Sequence, residues 1–132
     1  MILKILYVEF SVIVETMAMK VLDIDEIEGR RITVPGMTRV LKDILVSKNM
    51  TTHLGVIPSG QSSSRHVHLE SEEVVYVVKG EGWVETDGER KDLRPNYLVF
   101  LEPGEYHQYK SMGKSDLVLF VVYSPPAEVP KK

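Results

Sequence analysis

The sequence predicts an all-β fold, a sandwich or barrel of short strands, and three observations carry that prediction. Short apolar runs recur at about 31–34, 38–47, 51–57, 64–68, 73–79, 82–86, 89–93, 97–101, 105–110 and 116–123. Turn signals separate them: Pro35-Gly36, "PSG" at 58–60, "TDGE" at 86–89, "RPN" at 94–96, "EPGE" at 102–105 and "MGKS" at 112–115. No segment past residue 20 combines an apolar stripe of helical period with caps. Many short strands at this spacing point to a closed or sandwiched sheet.

The elements follow in order. "MILKILYVEFSVIVETMAMK" is apolar, but Lys4, Glu9 and Glu15 interrupt it, so neither a membrane span nor a secretory signal is expected there. Val8, Phe10, Val12 and Val14 alternate with Glu9, Ser11, Ile13 and Glu15, which suits a strand with its β-branched content. A helical stripe through Leu3, Tyr7, Phe10, Val14 and Met17 competes with it, as does a start of translation at Met17 or Met19. Asp87-Gly88 between two runs predicts a hairpin with a type I′ turn. Gly60, Gly80, Gly88 and Gly104 read as turn glycines, and Trp83, Tyr97 and Phe100 as core. The tail "SPPAEVPKK" reads as extended. The expected organisation is an N-terminal strand or extension over 1–20, one barrel over 21–124 and a Pro-rich tail over 125–132.

Composition narrows the function. A chain of 132 residues suits one domain, and its 43% hydrophobic content supplies a core. The formal net charge is −3 and the terminal Lys131-Lys132 does not extend into a basic run, which argues against a nucleic-acid partner. Without cysteine there is no disulfide, no thiolate ligand and no thiol nucleophile, in keeping with a cytoplasmic protein. No nucleotide-binding, Ser-hydrolase or H-E-x-x-H motif occurs.

Chemistry concentrates in "GQSSSRHVHLESEEVVYVVKG", residues 60–80. His66 and His68 are two apart, so on a strand both imidazoles face one way and can chelate one metal ion. Glu73 can return on a neighbouring strand with Val75 and Val77, where a buried carboxylate needs a compensating cation. His107 begins another strand, with Tyr109 on its face. An isolated H-x-H pair is ordinarily a surface feature, and Glu70 and Glu72 are expected in solvent. Here, however, three of the four histidines and one glutamate fall where a small barrel can converge them.

These residues resemble the two motifs of the cupin superfamily. The first, G-x5-H-x-H-x3-4-E-x6-G, is matched throughout by Gly60, His66, His68, Glu73 and Gly80. The second, G-x5-P-x-G-x2-H-x3-N, keeps Gly104 and His107, while Asn96, Glu102 and Ser111 replace its Gly, Pro and Asn. Fifteen residues lie between Gly80 and Asn96, which is similar to compact single-domain members. The resemblance implies a double-stranded β-helix, or jelly-roll barrel, of antiparallel strands. It also implies one divalent transition metal on His66, His68, Glu73 and His107. Nitrogen ligands with one carboxylate suit Mn or Fe first, with Zn or Ni next, and not Ca or Mg. Ser64, Tyr109 and His53 are candidates to line the pocket or brace a ligand. His53 is expected more in a surface or hydrogen-bonded role, because parity alone does not orient it. Arg65 and Glu102 are expected on the surface, and contact of Arg39 with an anionic ligand is the lesser expectation.

The implied function is a metal-dependent enzyme of dioxygenase, decarboxylase or isomerase type, acting on a small organic acid or sugar-like substrate. The alternative is a non-catalytic sensor or binding module; a storage role fits a short chain with a full ligand set less well. A homodimer is expected, with the apolar segment 1–18 as a possible contact.

Overall fold

Period-two alternation dominates the chain, and the computed structural model forms eleven strands among the residues it describes: 19–34 and 37–127 in full, with the backbone of two N-terminal strands. They are β1 (Ile5–Val8), β2 (Ser11–Val14), β3 (Arg30–Ile32), β4 (Arg39–Val46), β5 (Thr51–Ile57), β6 (Glu72–Lys79), β7 (Gly82–Glu85), β8 (Arg90–Leu93), β9 (Leu98–Leu101), β10 (Gln108–Ser111) and β11 (Leu117–Ser124). The N-terminal segment takes the strand form, as two short antiparallel strands. Most of the competing helical stripe, Pro35-Gly36 and the tail from residue 128 lie outside the described residues.

Two sheets face each other. The larger runs β1-β2-β4-β5-β11-β6-β9, with β3 also on β4, and the smaller runs β10-β7-β8. All pairs are antiparallel except β2 with β4. The core lies between the sheets: Val75 and Val77 of β6 and Leu119 and Val121 of β11 pack with Val84, Leu93 and Tyr109 of the smaller sheet. The molecule is an all-β jelly-roll barrel. Among the described residues no helix is long and apolar enough to cross a membrane.

Three details differ from expectation. Residues 64–68 are not a regular strand. The segment 60–66 runs beside β10, with bridges Ser62–Lys110 and His66–His107, so one extra residue is accommodated between them. The Ser63 hydroxyl takes up the slack by accepting the Tyr109 N–H at 3.0 Å. Second, the 86–89 turn closes with Thr86 N–H donating to Glu89 O at 2.9 Å, but neither Asp87 nor Gly88 has the positive φ of a type I′ turn. Third, Tyr97 and Phe100 are about half exposed and Trp83 is only partly buried, against a core placement. The β6–β9 register explains Phe100: Glu73 opposes Leu101 and both face inward, which turns Val74 and Phe100 outward. Trp83 instead carries the Arg90 guanidinium 4.1 Å above its ring.

Candidate metal centre

The site is assembled by turns that fix backbone direction. Gly60, Gly80 and Gly104 have φ of 79°, 88° and 86°, which favours glycine. Asn96, standing where the motif has Gly, has φ 74°; asparagine tolerates this conformation, so the departure preserves the turn. Glu102, in place of Pro, donates its N–H to the Glu105 carboxylate at 2.9 Å, a bond proline cannot make. Gly104 N–H then donates to His68 O at 2.9 Å, tying the His107 turn to the His66–His68 segment.

His66, His68, Glu73 and His107 converge so that one ligand atom from each lies within 4.8 Å of all the others. The backbones of His66 and His107 exchange hydrogen bonds of 3.0 and 2.9 Å. The imidazole orientations are set locally. His66 Nδ1 lies 2.8 Å from Ser64 O and His107 Nδ1 lies 2.9 Å from Glu105 O. Since a carbonyl only accepts, each Nδ1 carries a proton, and in the neutral ring this leaves the lone pair on Nε2. His68 Nε2 is 3.6 Å from Glu73 Oε1, and His107 Nε2 is 3.3 Å from Glu73 Oε2. Tyr109 Oη donates to Glu73 Oε2 at 3.0 Å.

Electrostatics follows from burial. Glu73 and His107 are each 2% exposed. Burial pushes the Glu73 carboxyl upward, but His107 foremost, with His66 and His68, outweighs it and holds Glu73 ionised below the usual range. Burial lowers His107, and the Glu73 carboxylate reverses that into a net rise. Burial, then His107, brings His66 down to about 4, and burial also lowers His68. Burial beside the Glu73 charge pushes the phenols of Tyr109 and Tyr123 well above their usual value, so both stay protonated.

The Cupin domain family model matches residues 53–123 of the chain. The chain is a cupin. This cupin is 29% identical over 117 residues to the polyketide synthase CurC of Streptomyces cyaneus, covering 88% of the chain and 76% of that protein. It is 27% identical over 114 residues to the L-ectoine synthase of Halalkalibacterium halodurans, covering 82% and 85% respectively. Among solved structures it superposes on a predicted oxalate decarboxylase from Thermotoga maritima with a TM-score of 0.72 at 24% identity, covering 80% of this chain and 99% of that one. An uncharacterised double-stranded β-helix protein from Klebsiella pneumoniae superposes with a TM-score of 0.69 at 18% identity, covering 82% and 91%. The cupin shares their double-stranded β-helix fold.

The donor set of the cupin fits a divalent transition ion. His68 Nε2, His107 Nε2 and Glu73 Oε1 are buried without a hydrogen-bond partner, an arrangement that costs stability unless a cation occupies the centre. Three imidazoles and one carboxylate could hold such an ion and leave positions open for a ligand.

The other site candidates separate. Tyr109 is 4% exposed and braces Glu73. His53, expected more at the surface, is 4% exposed and lines the cavity over the centre. Ser64 contributes its carbonyl to His66, whereas the neighbouring Ser63 faces the cavity. Arg39, given the lesser expectation, is 7% exposed and lines the same cavity, as does Tyr123, which the sequence did not single out. Tyr123 could have been found from its place opposite Glu73 in the β11–β6 register. Arg65, Glu102, Glu70 and Glu72 are exposed as expected.

Proposed function

We propose that this cupin holds one divalent transition metal, Mn or Fe before Zn or Ni, on His66, His68, Glu73 and His107, and acts as a metal-dependent enzyme on small organic acids or sugar-like compounds. The observation that carries it is the convergence of three buried, unpartnered donor atoms with His66 at one point. The ion supplies a Lewis acid or a platform for dioxygen when bound. The Ser64 and Glu105 carbonyls hold the His66 and His107 rings so that both Nε2 atoms face the centre. Tyr109 engages Glu73 Oε2 and leaves Oε1 turned to the centre. Leu41, Ile57, Leu119 and Val121 line the rest of the cavity, apolar walls around the few polar groups. The synthase names of two sequence relatives support an enzyme over a passive module.

One observation favours the alternative, a non-catalytic binding module. The proton-carrying groups of the cavity other than the proposed ligands titrate far from neutrality: burial takes His53 down to about 4 and both tyrosines well up. General acid–base catalysis works best with a pKa near the working pH. The two readings separate when metal-loaded protein is screened against small organic acids with product formation and oxygen consumption followed. Turnover that disappears together with the metal in His107→Ala supports the enzyme. Binding of acids without turnover supports the module. The assembly proposed is a homodimer, because Tyr76, Leu98 and Phe100 leave an apolar outer face on β6 and β9.

A further inference from the structure

Arg39 opens β4 with its side chain turned into the barrel, 7% exposed. Its Nη2 is buried without a hydrogen-bond partner, and no carboxylate pairs with it among the described residues. The two acids that share its surroundings are committed elsewhere. Asp43, on the same face of β4, accepts from Arg30 Nε at 2.6 Å and from Arg30 Nη2 at 3.2 Å. Glu73 is turned to the histidines and Tyr109. Across the ladder, His53 opposes Asp43, and its Nδ1 is likewise buried without a partner. Arg39 and His53 line one cavity with His66, Glu73, Tyr109 and Tyr123.

A buried guanidinium with open donors is a cost to the empty protein, and its planar fork matches a carboxylate in two parallel bonds. The cavity's formal charges are Arg39 and Glu73, which cancel, so a bound divalent ion would leave a surplus of positive charge. We propose that Arg39 and His53 form a carboxylate-receiving subsite, so that the ligand of this cavity is a small organic acid whose carboxylate lies on the Arg39 guanidinium, with His53 Nδ1 beside it and the ligand's other oxygen end toward the four-residue cluster. This rests on the metal-centre proposal for the far end of the ligand and narrows its substrate class to anions over neutral sugars.

The test uses manganese-loaded full-length protein, with metal content measured on every sample. Glycolate, lactate, pyruvate and malonate are titrated calorimetrically, with glycolamide and lactamide as neutral counterparts. The parent should bind at least one acid, and the amides at least tenfold more weakly. Arg39→Met should weaken the acid at least tenfold with unchanged metal content, and Arg39→Lys should recover part of the loss. In the absence of acid, Arg39→Met should melt above the parent, because it removes an unpaired buried charge; a structural arginine predicts the reverse. Equal acid affinity in Arg39→Met, equal binding of acid and amide, no acid bound by the parent, or a lower melting temperature for Arg39→Met would each overturn the subsite. Acid affinity that depends on Arg39 in a parent holding far less than one metal supports the subsite while removing the metal centre.

Discussion

Lowering the pH should cost the native state stability through His53, and the size of the loss follows from its burial. His53 is 4% exposed; burial dominates over the opposing Glu73 and Asp43 charges and brings its imidazole from 6.5 down to about 4. A depressed pKa means that the unfolded chain takes up the proton first. The full contribution is therefore present above pH 6.5, declines as the pH falls, and stops declining below about pH 4. Between pH 7 and pH 4.5 this linkage removes about 2 kcal/mol, at roughly 1.4 kcal/mol per pKa unit. His53→Gln has no proton to take up in this range. Urea unfolding of chelator-treated parent and His53→Gln, followed by Trp83 fluorescence at both pH values, isolates the term because every other titrating group is common to both. The parent should lose about 2 kcal/mol more than the variant on acidification. Equal losses would show that His53 is not held neutral in the fold.

Three further outcomes are expected. Tyr109→Phe removes the phenol that donates to Glu73 Oε2 and should weaken Mn or Co affinity by about 10–100-fold, read by calorimetry, with the fold retained. Gly80→Ala should destabilise by at least about 2 kcal/mol, because a Cβ at φ +88° would also meet the Asp116 carbonyl, whereas Gly88→Ala, with open space around it, should stay within about 0.5 kcal/mol by urea denaturation. In sedimentation, Leu98→Glu should shift the proposed dimer toward monomer; a chain begun at Met19 that dimerises as well as the full chain would remove segment 1–18 from the interface.

The centre was legible because ligand spacing survives any uncertainty about strand ends. His66, His68, Glu73 and His107 meet even though 64–68 is irregular and one extra residue is accommodated between Ser62 and His66. What the sequence left open was parity. On β4, Arg39, Leu41 and Asp43 face in while Val40 and Lys42 are only partly buried, so neither set is plainly the apolar one. His53 follows Thr51 and Thr52 in an uninterrupted buried run at the start of β5, which blurs the alternation that would have oriented it. Phe100 read as core because its aromatic character says nothing about which face the β6 register turns outward. The turn positions behaved in the opposite sense: Asn96 and Glu102 depart from the motif in letter, yet each supplies the backbone conformation or the hydrogen bond its position requires.

The central claim is that the four converging side chains hold a metal ion. Metal analysis of protein purified without chelator tests it most directly, alongside His107→Ala prepared the same way. The parent should carry about one equivalent of a divalent transition metal and the variant little. Less than about half an equivalent in the parent, also after reloading with Mn or Fe, would contradict it.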